Sequence, residues 1–445
     1  MTSSIPDLHD TLTTLGLSEA EDLVSPHWDE SVDTFPSDAI FFLRPEYVTE
    51  SARFCGMSDE TVSVALEMAA RIGANPALSR LLWHCHCLTY VHLDYPHAEL
   101  GRWPLPESVL GHQAGVFYLL AALSGVRQAQ EHDRERGIPE QITRDGLYDI
   151  GIGVNRFGRF FPGRIGVQPR LLYWFRNHTH YGLHRLGRLQ YIVRPFGAPL
   201  TIYRHTQSGR VLALCDPGLK FDGDGFRAAP SDQSDATDNW ESGGQADGDS
   251  ILAHPILPTG VALRQPVRLR KHAWEQVLAP GDGILETHIP EGGDMAVERC
   301  EASMRQALEF FPKYYPERPF KAIVCQSWIM NPEYESFYSP TANFVEFQRE
   351  LYLYPTPWAR TSGIFFIFDA EEIDPQSAPR DTSIRRAMAD HLEQGGVLRS
   401  GGMFFFPEEM EAFGSQVYRN TPLFNALRAG DTRKLASVDI GIGDP

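Results

Sequence analysis

The chain is poor in cysteine, with six scattered residues in 445. That spacing fits reduced thiols better than a disulfide framework. Long apolar runs are also missing, and stretches such as GVFYLLAAL are too short to span a bilayer. The N-terminus, MTSSIPDLHD, is polar and acidic and lacks the basic-then-apolar order of a secretory signal, so the expected setting is the cytoplasm. Positive charge is scarce too: 40 Lys and Arg against 58 Asp and Glu give a formal charge of −18. Such a balance argues against nucleic acid or an anionic membrane as the main partner. No P-loop, Rossmann glycine fingerprint, GxSxG, CxxC or HExxH occurs, and no metal is expected.

What is present is ordinary globular material, 42% hydrophobic and 11% aromatic, and too long for a single typical core. Residues 1–155 are predicted to be helical. In SDETVSVALEMAARIG, Val62, Ala65, Leu66 and Ala69 share one helical face, with Ser58 or Asp59 as cap. NPALSRLLWHCHCLTYVHL predicts a buried helix, and the run from Glu107 predicts another, ended by Gly137. Residues 156–445 form the second predicted domain. Its early segments RLGRLQYIVRP, APLTIYRHT and RVLALCDPG are β-branched or aromatic and punctuated by Pro and Gly, as antiparallel strands are. Phe221–Ser250 carries eight acidic residues and one Arg, and is expected to be a mobile surface insertion at about 221–250. RQPVRLRKH (Arg264–His272) concentrates positive charge; it could attract a phosphate or an acidic carrier, though a solvated strand and turn explains it as well.

The most informative stretch is ILETHIPEGGDMAVERCEASMRQALEFF, Ile284 to Phe311. Glu286 and His288 alternate with Leu285 and Thr287, so both polar side chains face one way on a strand. Pro290 ends that strand, and Gly292-Gly293 permit backbone angles other residues resist. Asp294 is placed to cap a helix whose first turn holds Met295 and Ala296. Val297, Cys300, Met304, Ala307, Leu308 and Phe311 then recur at helical spacing. A strand, glycine turn and helix in that order point free N–H groups at an anion. FKAIVCQSW, NPEYESFY and ELYLYP then predict a strand, a short helix and a strand.

With those motifs quoted, HIPEGGDMAVERCEASMRQALEFFPKYYPERPFKAIVCQSW and ANFVEFQRELYLYP resemble the GNAT-like C-terminal domain of bacterial two-domain acyltransferases. ALSGVRQAQEHDRERGIPEQIT and HRLGRLQYIV resemble that family's N-terminal domain and first GNAT strands. The resemblance covers most of the chain, the acidic insertion and both extreme ends excepted. It implies an α+β protein: an N-terminal helical domain, then a GNAT-like mixed-sheet domain. It also implies acyl transfer from acyl-CoA or an acyl carrier protein thioester to an amine. The usual pyrophosphate loop resembles Q/R-x-x-G-x-G/A, whereas here the glycines are adjacent and flanked by acids, which favours a carrier-protein thioester or a lost activity. The implied donor site is Ile289, Glu291, Gly292, Gly293, Asp294 and Met295.

Amine acylation needs a base, donors for an oxyanion and an acid for the thiolate. His288 suits the base, with Glu286 orienting it or acting in its place. Tyr334 or Tyr338 falls where the family often keeps a thiolate-protonating Tyr. Cys325 and Ser327 share one face of their strand and would be the nucleophiles of a covalent relay. The alternatives are therefore a transacylase using one of those two residues, or a catalytically silent GNAT fold acting as a binding module. WHCHCLTYVHLDYPH offers no zinc spacing, and His178, His180 and His184 are expected at a partly exposed strand edge. GHQAG has Gln113 where a nucleophile elbow needs Ser.

Overall fold

A computed structural model of the chain describes residues 7–228, 238–357 and 362–443. It separates into two compact units, Met1–Arg185 and Leu186–Pro445. The α+β expectation holds, with helices in the first unit and mixed sheets in the second. The boundary falls later than residue 155 because helix α5 (Glu140–Phe160) runs through that point, burying Leu147, Ile150, Val154 and Phe157 along one face. Among the described residues, no single helix is long and apolar enough to cross a membrane.

In the first unit, α1 (Asp59–Gly73) starts where Ser58 Oγ accepts from Thr61 N, and α2 (Pro76–Tyr90) starts where Asn75 accepts from Leu78 N. The expected third helix is broken into α3 (Gly115–Leu123) and α4 (Val126–Glu135). Gly125 sits at the break against the Tyr90 ring, where a Cβ would come within 2.4 Å of a ring carbon. The histidines of α2 are core residues. His84 has one ring nitrogen 2.7 Å from Ser31 Oγ and the other 2.7 Å from the Val24 carbonyl, and His86 lies 2.7 Å from Ser124 Oγ. His178 is on a π-helical turn, Asn177–Tyr181, rather than a strand, with its ring between Asp149 and the Leu183 carbonyl.

The described residues form 17 strands, from β1 (His184–Leu186), which runs through the boundary between the units, to β17 (Ile440–Ile442). The main sheet runs β1, β2 (Leu189–Pro195), β13 (Gly283–His288), β14 (Ile323–Ser327), β16 (Gly401–Phe405) and β15 (Tyr352–Pro355). Among the described residues, β13 and β14 pair in parallel, while β2 with β13, β14 with β16 and β15 with β16 pair antiparallel. The sequence segments APLTIYRHT and RVLALCDPG do form strands, β3 (Leu200–His205) and β4 (Val211–Cys215). They belong, however, to a separate five-stranded sheet with β9 (Pro255–Leu257), β10 (Val261–Ala262) and β12 (Trp274–Leu278). GGMFFF supplies the unexpected strand β16 between β14 and β15. Gly402 fits there because its Cβ position lies 2.1 Å from the Tyr354 ring.

The acidic insertion is corrected in part. Residues 229–237 lie outside the described residues, but the remainder forms β5 (Lys220–Phe221), β6 (Trp240–Glu241), β7 (Gly244–Ala246) and the start of β8 (Ser250–Ala253). Its acids meet the basic stretch on and around β11 (Val267–Arg270). Asp247 lies 3.1 Å from Arg268 and accepts from Lys271 through its carbonyl, and Asp238 lies 3.2 Å from Arg264. These two oppositely charged segments neutralise each other.

Burial lowers His84, His86 and His184 to about 4 from the ordinary imidazole value. Between pH 6.5 and 4 the unfolded chain takes up protons that the folded unit refuses. Stability is therefore full above pH 6.5 and falls on acidification. The thermal midpoint of the helical unit should drop by roughly 5 °C or more between pH 6.5 and 4.5. His86→Phe should flatten that slope, and an unchanged slope would contradict the assignment.

Candidate functional site

The two parallel strands at the centre of the main sheet part company. β13 and β14 pair at Leu285–Ile323 and Glu286–Val324, and no further. Yet β13 continues to His288 along β2, and β14 continues to Ser327 along β16. The gap between their C-terminal ends exposes strand-edge backbone groups, which a guest chain with amide groups could satisfy.

Side-chain direction follows from the register. Thr287 lies opposite Tyr191, whose hydroxyl is 3.0 Å from Ser303 Oγ on α6 (Val297–Tyr314). Leu285 and Thr287 therefore face that helix, and Ile284, Glu286 and His288 face the other side. On that side Glu286 lines a cavity of about 230 Å³ with Pro195, Phe196, Gly197, Ile284, Val324 and Gln326. His288 Nε2 lies 3.8 Å from Glu286 Oε1, with 27% and 34% of the two side chains exposed, so water and substrate can reach both. Gln326 Nε2 donates to the Tyr354 hydroxyl at 3.3 Å, and burial raises the Tyr354 phenol so that it keeps its proton.

Beyond β13 the chain turns through Gly292 at φ +89° and Gly293 at φ +76°, both left-handed, where glycine is the residue with no Cβ penalty. α6 starts at Val297, with Ala296 as its cap residue and no side-chain cap bond. Asp294 thus does not cap the helix as expected: it accepts from Ala296 N at 3.1 Å and meets Arg299 at 3.4 Å. Met295 and Ala296 precede the helix. Met295 is buried, Ile289 half-buried, and Glu291, Gly292, Gly293 and Asp294 are exposed. The buried side chain that shapes this loop is Arg188, from the turn between β1 and β2. Its guanidinium donates to the carbonyls of Asp294 at 2.7 Å, Pro290 at 2.9 Å and Gly293 at 3.4 Å. Among the described residues, the N–H groups of Gly292, Gly293 and Met295 donate to no acceptor in the chain. A Cβ on Gly293 would lie 3.6 Å from Arg188 and 3.7 Å from Arg299, so two guanidinium groups flank the loop and offset the charge of Glu291 and Asp294.

The other sequence candidates fall elsewhere. Cys325 and Ser327 alternate with Val324 and Gln326 and so face away from Glu286 and His288. Cys325 is buried, which pushes its thiol up and disfavours the thiolate a relay requires. Ser327 Oγ accepts from Ile329 N and caps the turn Trp328–Met330. Tyr334 is buried against Phe337, Phe344 and Tyr338, and burial raises its phenol. Tyr338 is stacked on Phe344, and its hydroxyl lies 2.8 Å from Ser383 Oγ. Gln326, Tyr354 and Arg188 escaped the sequence reading. For Arg188 the available signal was the L-G-R turn, where an Arg in a tight hairpin has a fixed direction.

The model for the GNAT-like C-terminal domain matches residues 183–405, half of the chain, and that for the N-acyltransferase N-terminal domain matches residues 47–181. The fold is similar to that of an acyltransferase solved in complex with decanoyl-CoA and teicoplanin, at a TM-score of 0.61 and 19% identity, covering 90% of this chain and 99% of that one. An acyltransferase with CoA and 10C-teicoplanin gives the same values. A mutant acyltransferase with octanoyl-CoA gives a TM-score of 0.60, again at 19% identity and with 90% and 99% covered. No curated protein matches the chain in sequence.

Removing the Arg188 guanidinium leaves three loop carbonyls without their donor. Arg188→Ala should cost about 1–3 kcal/mol and should make the Glu291–Gly292 bond sensitive to glutamyl endopeptidase in limited proteolysis. Cleavage there at the wild-type rate would contradict the role given to Arg188.

Proposed function

Because the chain belongs to the family of N-acyltransferases that carry a GNAT-like C-terminal domain, we propose that it moves an acyl group from acyl-CoA to an amine by direct attack. One observation carries the reading: beside the gap between β13 and β14 lies a glycine loop in which, among the described residues, the N–H groups of Gly292, Gly293 and Met295 donate to no acceptor of the chain. A pantetheine arm is a chain with two amides and fits a strand-edge gap, while a pyrophosphate fits N–H donors flanked by Arg188 and Arg299. Relatives in fold were solved with octanoyl-CoA, decanoyl-CoA and CoA, which supports that donor over an acyl carrier protein. A relative in fold was solved with decanoyl-CoA and teicoplanin together, which makes teicoplanin one acceptor to try on this chain.

In this reading Glu286 is the base, since it lines the cavity at the last paired rung before the strands separate. The amine nitrogen attacks the thioester carbonyl, the C–N bond forms, and Glu286 takes the ammonium proton. The C–S bond then breaks and the thiolate takes a proton from water, while Glu286 gives up the one it took. His288, 3.8 Å from Glu286, orients that carboxylate or passes its proton outward. Gln326, held by Tyr354, stands across the gap to position the acyl carbonyl.

Glu286→Gln should lower kcat by about 10²–10⁴-fold while leaving acyl-CoA binding intact. His288→Ala should cost roughly tenfold and move the pH profile. Thiol release from a C2–C12 acyl-CoA series, with an amine panel tested beside teicoplanin, checks both. Full activity in Glu286→Gln would end this assignment. Gly293→Val, strained at φ +76°, should weaken acyl-CoA binding at least tenfold in calorimetry; unchanged binding would exclude the loop as the phosphate site.

A further inference from the structure

Of the Phe, Tyr and Trp side chains among the described residues, Phe366 is the most exposed, at 54%. It belongs to a five-residue helix, Ile364–Phe368, in the connection from β15 to β16. Ile364 and Phe368, four apart, are both buried, so Phe366 stands on the opposite face. The helix is fixed at both ends. It follows Gly363 at φ +85° and stops at Asp369 at φ +50°, an angle a non-glycine residue adopts only when its surroundings hold it there. Arg385 supplies that hold, donating to the Ile367 carbonyl at 2.7 Å and meeting Asp369 at 3.4 Å. A Cβ on Gly363 would lie 3.1 Å from the Trp328 ring, so the helix rests directly on that indole. The half-buried Trp328 ring and the Phe366 ring are 15° from parallel, with centroids 6.5 Å apart.

A single exposed ring needs no explanation; its place gives this pair a use. Trp328 directly follows β14, one of the two strands that border the gap. Glu286 pairs with Val324, so the register carried forward sets Pro290 level with Trp328. Pro290 opens the glycine loop. The aromatic pair and the loop N–H groups therefore belong to opposite sides of the gap at one end of the sheet, beyond the carboxyl ends of two parallel strands, where α/β folds bind nucleotides. Glu286 lies further back along β13. A donor laid along the gap has its acyl group at Glu286, its pyrophosphate at the loop and its adenosine beyond. That order sets the acyl chain away from Trp328 and Phe366, and brings adenine to them, one ribose past the pyrophosphate. A flat base stacks on such rings through its π-face.

We propose that Trp328 and Phe366 form the seat of the adenine base of the acyl-CoA donor. The proposal rests on the donor reading above and adds a contact that the glycine loop and strand gap do not supply. It also separates acyl-CoA from an acyl carrier protein, whose phosphopantetheine arm carries no adenine.

Calorimetry on the full chain compares CoA with 4′-phosphopantetheine, which ends before the adenosine. Phe366→Ala should weaken CoA about 5- to 100-fold, the range for losing one base–aromatic stack, and should leave the affinity for 4′-phosphopantetheine as it is in the wild type. Phe366→Trp should keep the affinity for CoA. Phe366 is exposed, so both variants keep the fold. CoA and adenosine 3′,5′-bisphosphate should each change the Trp328 emission, read as the difference from Trp328→Phe, and 4′-phosphopantetheine should not. Wild-type affinity for CoA in Phe366→Ala would overturn the adenine seat and leave the donor reading standing. An equal loss for CoA and 4′-phosphopantetheine would do the same, since the helix would then support the site as a whole. A dimer that Phe366→Ala dissolves, with CoA affinity unchanged, would give this face to a second copy of the chain. Absence of CoA binding by the wild type would end both readings.

Discussion

The candidate donor site depends on one buried guanidinium. Arg188 gathers the carbonyls of Pro290, Gly293 and Asp294 beneath the loop that follows β13. With those oxygens held inward, the loop keeps its left-handed glycines and leaves N–H groups outward. The same turn that carries Arg188 is tied to α6 by Ser303, which accepts from Leu189 N at 3.1 Å and donates to the Leu186 carbonyl. Strand, loop and helix are thus fixed relative to one another by two polar side chains in a largely apolar setting. Buried polar contacts of this kind are costly to leave unmade, so they specify one arrangement.

The second constraint is the separation of β13 from β14. Each strand keeps an antiparallel partner on its outer side, β2 for one and β16 for the other, so neither loses its backbone bonding when the pair divides. The divided region remains ordered and still exposes edge groups. Glu286 stands at the dividing rung and faces the cavity. The position of a half-buried carboxylate beside an open strand gap, rather than any motif in the loop, is what gives the site its chemical direction.

Much of this was legible in the sequence. The alternation of Glu286 and His288, the adjacent glycines and the helical face of Cys300, Met304, Ala307 and Phe311 depend on neighbours within a few residues, and period alone reads them. The assignments that changed depend on distant partners. Asp294 was expected to cap α6, but its place in the turn is decided by Arg188, about a hundred residues earlier in the chain. Tyr334, Tyr338, Cys325 and Ser327 have chemistry suited to acyl transfer, yet burial holds Tyr334 in the core, the Tyr338 hydroxyl meets Ser383, and strand alternation turns Cys325 and Ser327 to the other face. The strand GGMFFF was not predicted, and its two glycines are fitted to Met330 and Tyr354, partners that lie far from it in sequence. The opposed charges of the acidic insertion and Arg264–His272 were read separately, and their pairing needs the fold.

Hydrogen–deuterium exchange of the full chain, with and without CoA, tests the central claim most directly, because it reads the loop and the strand gap at once. The structure predicts protection on CoA binding in peptides covering 286–296 and 324–327, where N–H groups face the proposed ligand. Binding of CoA with protection confined to other segments, or with no change in those two, would contradict it.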